Sequence, residues 1–479
     1  MPPHQRTFDL VIAANRLPVD RVVDADGEVS WRRSPGGLVT AMHAVMSGRP
    51  GAWVGWSGDA GAAPEPFEIE GMLLHPVELS EEEVESFYEG FSNDTLWPIY
   101  HDVIVPATFH RLWWNAYIAV NERFAEAVCR LAARGATVWV HDYQLQLVPA
   151  MVRRRRPDVR IGWFDHIPFP PVELFAQLPW RREILVGMLA ADFLGFQRTA
   201  DARNFLQACR RLGGFQARGD IVTVPGGPGE PAWHAQVGAV PISVDSHRLA
   251  ELAGRPESVA RAAEIRESIG NPRVMLLGVD RLDYTKGIRH RLKAYEELLA
   301  EGRIEPPDVT FVQVATPSRE RLEAYRSLRD VIEMTVGRIN GEYSSLGAPA
   351  VNYLHHAYDR DEMTGLFLAA DVMVVTPLRD GMNLVAKEYV ASRTDLSGAL
   401  VLSEFTGAYH ELRRAFVTNP HDIEGLKDTM MRAIETAPSA KRRAMRAMHR
   451  QVMASDVQRW ANRFLTALDA AANARREAG

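Results

Sequence analysis

With 479 residues, 46% of them hydrophobic and 24% charged, the chain is too long for one core and reads as a globular protein of two ordinary domains. A net charge of −6 excludes the strongly basic balance of a nucleic-acid binder, and two cysteines exclude a disulfide framework. Cys129 and Cys209 each fall in a helical pattern and read as small buried residues.

The chain opens on Met-Pro-Pro-His with no signal-peptide core, and no apolar run is long enough to cross a bilayer. A cytoplasmic location with no membrane partner is therefore expected. Strand and helix patterns alternate almost throughout, which predicts α/β architecture with parallel sheets. Phe8 to Ala14 reads as the first strand, followed by a hairpin from Asp20 to Trp31 around Asp26-Gly27. Gly37 to Met46 reads as a helix, and Ala52–Trp56 and Met72–Pro76 as extended. Glu81 to Phe91 and Leu112 to Ala133 read as helices, with Phe91 to Leu96 a loop. Strands follow at Thr137–Val140, Arg160–Phe164 and Asp192–Phe196, separated by helices; Asp201 to Leu212 is a further helix. The run Arg153 to Arg156 reads as the solvated end of a helix.

Gly213 to Pro231 is rich in Gly and Pro and reads as a hairpin or flexible excursion. Val237 to Val244 ends the first half, and a charged helix, Glu257 to Ile269, leads into the second. Strands are then expected near 274–279, 309–315, 351–354, 371–375 and 399–403, separated by helices, with a mostly helical end. The result is two Rossmann-like domains, 1–243 and 244–455, facing across a deep cleft. A last helix over 456–479 is expected, returning to the first domain.

The most informative stretch is Thr376 to Tyr389. A polar, Gly-containing turn there follows an apolar strand and opens a helix, the place where α/β sheets bind ligands. The amides of Gly381, Met382, Asn383 and Leu384 are expected to face outward with the positive end of the helix dipole. Asp380 and Glu388 flank them, and acceptors beside an anion site suit a sugar nucleotide better than a bare phosphate. Val279 to Gly287 places Arg281 and Lys286 on another strand-to-helix loop, a fork and a point charge fit for a diphosphate. The plainer alternative makes them surface charges paired with Asp280 and Asp283.

Asn15-Arg16 follows the first strand, and Gly36 and Gly37 precede the first helix. Neither a GxGxxG nor a P-loop Lys-Ser/Thr pair is present, and there is no metal-ligand cluster. No cofactor or metal is expected. Asp142 and His166 end neighbouring strands and are expected to point into the cleft, and Arg319 follows another strand end. Tyr88 and Trp97 lie in an aromatic-rich region, Trp97 as a candidate wall against a sugar ring.

Together, Asn15-Arg16, Ser34-Pro-Gly-Gly37, Tyr88 with Phe91-Ser-Asn and Leu96-Trp97-Pro98, His141-Asp-Tyr-Gln144, His166-Ile-Pro-Phe-Pro170, Asp280 to Gly287 and Arg379 to Glu388 resemble the trehalose-6-phosphate synthases, in one order from about 8 to 465. The resemblance implies a GT-B fold and a retaining transfer of glucose from a nucleoside diphosphate, UDP or GDP, to glucose 6-phosphate. It implies that Arg281 and Lys286 hold the diphosphate, that Glu388 binds the ribose and that Tyr358 sits near the base. Asp380 and the amides of Gly381 to Leu384 would hold the donor glucose, with Gly36 and Gly37 against the donor. Arg16, Tyr88 and Arg319 would hold the acceptor phosphate, Trp97 and Asp142 the acceptor sugar, and His166 would contact the donor sugar near the reacting centre. It also implies a homo-oligomer, a dimer or tetramer. Alternatives are a relative that couples cyclitols through nitrogen and a non-catalytic regulatory subunit. One departure is Asp165, before His166, where an apolar residue is expected.

Overall fold

The alternating apolar runs build two large sheets, and a two-stranded sheet is separate from both. The computed structural model describes residues 6–23, 29–34, 50–226 and 232–478. One unit comprises Met1–Ile242 with Gln458–Gly479, the other Ser243–Val457.

The first unit contains β1 (Phe8–Arg16), β2 (Val19–Val23), β3 (Val29–Arg33), β4 (Gly51–Trp56), β5 (Phe67–Ile69), β6 (Met72–Val77), β7 (Ala132–His141), β8 (Arg160–Phe164), β9 (Phe193–Phe196), β10 (Gln216–Arg218), β11 (Ile221–Val224) and β12 (Trp233–Ala239). Its main sheet has the order β10-β11-β12-β9-β8-β7-β1-β4-β6-β5. From β12 to β6 neighbouring strands are parallel, and antiparallel strands close both edges. Parallel strands covered on both faces must be apolar throughout, and Val11 to Ala13 and Val138 to Val140 are fully buried. The last helix, Val457–Ala478, belongs to this sheet: Phe464 stacks on Trp139 at 4.4 Å, and Trp460 donates to Val240 O at 3.1 Å.

The second unit contains β13 (Val274–Arg281), β14 (Val309–Thr316), β15 (Val351–Leu354), β16 (Val372–Val375), β17 (Ala399–Ser403) and β18 (Phe416–Thr418). They form one all-parallel sheet in the order β15-β14-β13-β16-β17-β18. Strand order reverses at β13, with β14 on one side and β16 on the other. In the first unit it reverses at β1, between β7 and β4. These are the switch points at whose carboxyl ends α/β sheets bind ligands.

Two expectations are corrected. Phe91 to Leu96 is not a loop: Val84–Leu96 is one wide-turned helix with i→i+5 bonding, after a Ser80–Glu83 capping box. Its Ser, Asn and Thr are poor helix formers, but all three are buried, and Asn93 and Thr95 find partners. Asn93 donates to Tyr88 O at 2.7 Å and accepts from Tyr143 Oη at 2.8 Å. Nor is the 153–156 run simply solvated. Arg153 donates to Val159 O and pairs with Asp192, and Arg156 reaches Ala132 O and Ala133 O, so both tie strand and helix ends together.

Of the Gly/Pro-rich stretch, read as a hairpin or flexible excursion, β10 and β11 pair antiparallel while 227–231 lie outside the described residues; β2 and β3 also pair antiparallel, with their turn at Asp26-Gly27 outside the described residues. The helix expected over Gly37 to Met46 lies outside the described residues, as do Gly36 and Gly37. Cys209 is buried, Cys129 is half-buried, and both are free thiols. No helix among the described residues is long and apolar enough to cross a membrane.

Candidate active site

In the second unit the switch point brings two loops together. β13 ends at Arg281, and the turn Tyr284–Lys286 follows it. β16 ends at Val375, and Thr376 to Asn383 leads into the helix Leu384–Ser392. Gly287 joins the loops: its φ is +63°, and a Cβ there would lie 2.0 Å from Thr376 O, so no other residue fits. Leu378 N–H donates to Thr285 O at 2.7 Å.

Lys286 Nζ lies 2.7 Å from Asp380 Oδ2, and Asn383 Nδ2 donates to the same oxygen at 3.2 Å. Asn383 has a left-handed backbone (φ +75°), and its side chain caps the helix by accepting from Ala386 N–H at 3.0 Å. Among the described residues, the amides of Gly381, Met382, Asn383 and Leu384 meet no protein acceptor. They form a cradle of donors beside an ammonium and a carboxylate.

The charged groups beneath are buried. Asp280 is not a surface partner of Lys286 or Arg281: its carboxylate pairs with the fully buried Arg291, which also donates to Val374 O at 2.7 Å. Arg291 thereby ties the ends of β13 and β16. Burial raises the Asp280 carboxyl, against the pull of Arg291 and Lys286. Asp283 has no exposed surface. Burial disfavours its charge, but Arg319, Arg281 and Lys286 outweigh this and hold its pKa at about 2. It accepts from Thr285 N–H and Oγ1 at 3.0 and 2.9 Å and from Tyr325 Oη at 3.2 Å. Arg281 is 3.6 Å from it with much of its side chain exposed.

Arg319 is also at this end of the sheet, with φ +51°, 3.4 Å from Asp283 and bonded to Tyr325 Oη. Glu388 lies one helical turn into Leu384–Ser392. Burial raises its carboxyl and Arg360 draws it down. That interaction links Glu388 to the Tyr358–Arg360 segment after β15, where Tyr358 stands edge-on to His356 at 4.3 Å. In the described chain the one acidic cluster with metal-ligand spacing is Glu297, Glu301 and Glu424. Lys427 fills it, 3.1 Å from Glu297 and 2.6 Å from Glu424.

The first unit presents its groups at the carboxyl ends of β1, β4, β7 and β8. Arg16 ends β1. Its guanidinium lies over Trp56 at 5.1 Å, 3.6 Å from Asp20 and 3.4 Å from Ser57 O. Trp56 meets Tyr88 edge-to-face at 5.3 Å, so Arg16 and Tyr88 share one aromatic support. Trp97 is nearly buried, stacked on His101 at 4.0 Å and tilted against Tyr143 at 5.7 Å.

Asp142 adopts φ +74°, and its Oδ1 accepts from His166 N–H at 3.2 Å. Nδ1 of His141 and Nε2 of His166 are 3.0 Å apart. Burial lowers both imidazoles, His166 to about 3, and each would repel a charge on the other, so the pair is neutral at physiological pH. Asp165 has no exposed surface, and burial, Asp142 and Asp201 push its carboxyl well above the usual range.

Several of these groups were not singled out from the sequence. His141 was read only as part of a motif, yet it lies within hydrogen-bond reach of His166. The signal was present, because both close neighbouring strands. Asp283 and Arg291 carried no comparable signal, since a charged residue in a loop or helix gives no sign of being buried.

A parallel sheet with paired basic groups and a donor cradle at its switch point, joined in one chain to a second such sheet with its own polar rim, defines a nucleotide-sugar glycosyltransferase of the GT-B class. Residues 9–470 match the model of glycosyltransferase family 20, and the chain belongs to that family. A trehalose-6-phosphate synthase from Mycolicibacterium vanbaalenii is 58% identical over 469 residues, covering 96% of each chain. An α,α-trehalose-phosphate synthase (UDP-forming) from Burkholderia xenovorans, in complex with glucose 6-phosphate, has a TM-score of 0.87 at 32% identity and covers 96% of this chain and 99% of its own. A structure from E. coli bound with UDP-2-fluoro glucose has a TM-score of 0.86 at 32% identity, covering 96% and 98%.

Proposed function

We infer that the protein transfers glucose, with retention, from a nucleoside-diphosphate-glucose to glucose 6-phosphate, forming trehalose 6-phosphate. The observation that carries this is the meeting of Lys286, Asp380 and the uncommitted amides of Gly381 to Leu384 at one switch point. The relatives favour this reading over a cyclitol-coupling enzyme or a non-catalytic subunit.

In this reading Arg281 and Lys286 hold the diphosphate, Asp380 and the amides hold the glucose, Glu388 binds the ribose and Tyr358 lies near the base. Gly36 and Gly37, which lie outside the described residues, are proposed to line the donor. UDP is the proposed nucleotide, because the similar Burkholderia protein is UDP-forming. Arg16 and Tyr88 bind the acceptor phosphate, the task implied also for Arg319, and Trp97 and Asp142 orient the acceptor sugar. His166 contacts the donor sugar as a neutral hydrogen-bonding group, because a pKa near 3 leaves no charge on it at neutral pH.

Bond breaking puts negative charge on the leaving diphosphate. Preorganised cations there act where charge develops, usually the dominant catalytic effect. The leaving phosphate itself accepts the proton of the attacking hydroxyl, so no carboxylate nucleophile is required. The protein is further proposed to act in the cytoplasm as a homo-oligomer, a dimer or tetramer.

The test is a panel of UDP-, GDP- and ADP-glucose offered with glucose 6-phosphate or glucose, following nucleoside diphosphate release. UDP-glucose with glucose 6-phosphate should be fastest. Lys286→Ala and Arg281→Ala should each slow transfer about ten- to a hundredfold. Near-normal turnover in both variants would remove the diphosphate assignment.

A further inference from the structure

The amide cradle does not hold its own shape. Thr376 to Asn383 makes few bonds within itself and is pinned from outside. On one side stand Thr285 and Gly287. On the other stands the stretch from the last residue of β17 onward, Ser403 to Glu411, to which the sequence assigns no role.

Ser403 Oγ donates to Pro377 O at 2.7 Å. Asp380 N–H donates to Phe405 O at 3.2 Å, and Ala408 N–H to Met382 O at 2.8 Å. These bonds fix the backbone on both sides of the Gly381 and Met382 amides. Gly407 lies against the turn: a Cβ there would stand 2.1 Å from Gly381 O and 3.0 Å from Met382 Cα. Both clashes are with backbone, so a side chain could enter only by displacing the cradle.

The far end is locked by charge. Lys387, fully buried in the helix that the cradle opens, pairs with Glu411 at 2.7 Å. A buried ammonium is costly unless paired, so this bond fixes the segment to the helix rather than decorating the surface. Burial lowers the Lys387 pKa and Glu411 supports its charge.

We propose that Ser403 to Glu411, through Gly407 and the Lys387–Glu411 pair, is a positioning element that aims the Gly381–Leu384 amides at the transferred sugar. The bonds described above reach Pro377, Asp380, Met382 and Lys387, on the sugar side of the proposed donor site. Its loss should therefore be felt by the sugar of the donor and not by the diphosphate. The inference rests on the donor reading above.

UDP and UDP-glucose are titrated separately into the full-length protein, wild type and variants, by calorimetry. Gly407→Ala and Glu411→Gln should each weaken UDP-glucose about tenfold while UDP changes less than about twofold, the size expected from losing one or two hydrogen bonds. kcat should also fall, because an error of about 1 Å in placing a reacting group costs up to about a hundredfold. Glu411→Gln keeps shape and an acceptor for Lys387, so it tests the proposal even if Gly407→Ala does not fold. Equal loss for UDP and UDP-glucose, or no loss for either, would overturn it. Lys286→Ala is titrated alongside. If it leaves UDP binding unchanged, the donor reading fails; if it weakens UDP as expected, the result from Gly407 and Glu411 judges the positioning element alone.

Discussion

The two units solve the same problem, holding polar groups rigid at a sheet's carboxyl end, with opposite electrostatics. In the first unit the support is mostly neutral. Arg16 rests on Trp56, Trp97 on His101, and His166 on an uncharged His141. In the second unit it is ionic: Asp280 with Arg291, Asp283 with Arg319, and Lys286 with Asp380. The difference fits the proposed tasks. A diphosphate needs fixed cations, and buried cations need carboxylates, whereas a sugar ring needs flat surfaces and neutral hydrogen-bonding groups. It also means that the two units should respond differently to mutation and to acid.

The largest effect should come from removing one member of the ionic set. Arg291→Met leaves Asp280 buried without its partner and should cost about 3–5 kcal/mol. Hydrogen exchange should rise across β13 and β16 while protection in β7 and β8 is unchanged. Uniform loosening of both sheets would dissolve the contrast.

Acid should act on the units in different windows. A folded His166 at about 3 against an ordinary 6.5 binds fewer protons than the unfolded chain. Its stabilisation is complete above about 6.5 and is lost as pH falls toward 3, at up to about 1.4 kcal/mol per pH unit. Asp283, lowered from 3.8 to about 2, gives stability that is present above 3.8 and lost only as pH falls toward 2. Lowering pH from 7 to 5 should raise exchange at the ends of β7 and β8 before those of β13. The reverse order would refute the neutral-pair account.

Asp165 sharpens the contrast from within the first unit. Its raised carboxyl gives the folded state extra protons, so it opposes stability increasingly as pH rises above the unfolded value of 3.8. Asp165→Asn should stabilise the protein by on the order of 1 kcal/mol at pH 8 and by less at pH 4. Denaturation midpoints at the two pH values check this, and a larger gain at pH 4 would contradict the assignment.

The smallest expected effect is at the donor edge. Glu388→Gln removes a charge but keeps an acceptor, so UDP-glucose should bind about threefold to tenfold more weakly, with glucose 6-phosphate unchanged. A greater loss for the acceptor would move Glu388 out of the donor site.

The sequence by itself determined the alternation that makes two parallel sheets, because an apolar run flanked by turn residues has few other uses. It also placed Arg16, Asp142, His166, Arg281, Lys286 and Asp380 at strand ends, since order along the chain sets which residue follows a strand. It misread Phe91 to Leu96, where local propensity favoured a loop but buried partners for Asn93 and Thr95 made a helix. It likewise left Arg153 and Arg156 to solvent, although both are bound to backbone oxygens.

What tertiary structure alone decided is strand order and burial. β13 and β16 are nearly a hundred positions apart, and only their pairing in the sheet sets Lys286 2.7 Å from Asp380. Whether a charged side chain is exposed or sealed depends on the elements packed over it. That is why Asp283, Arg291 and Lys387, ordinary in the sequence, became the groups that hold the candidate site in shape.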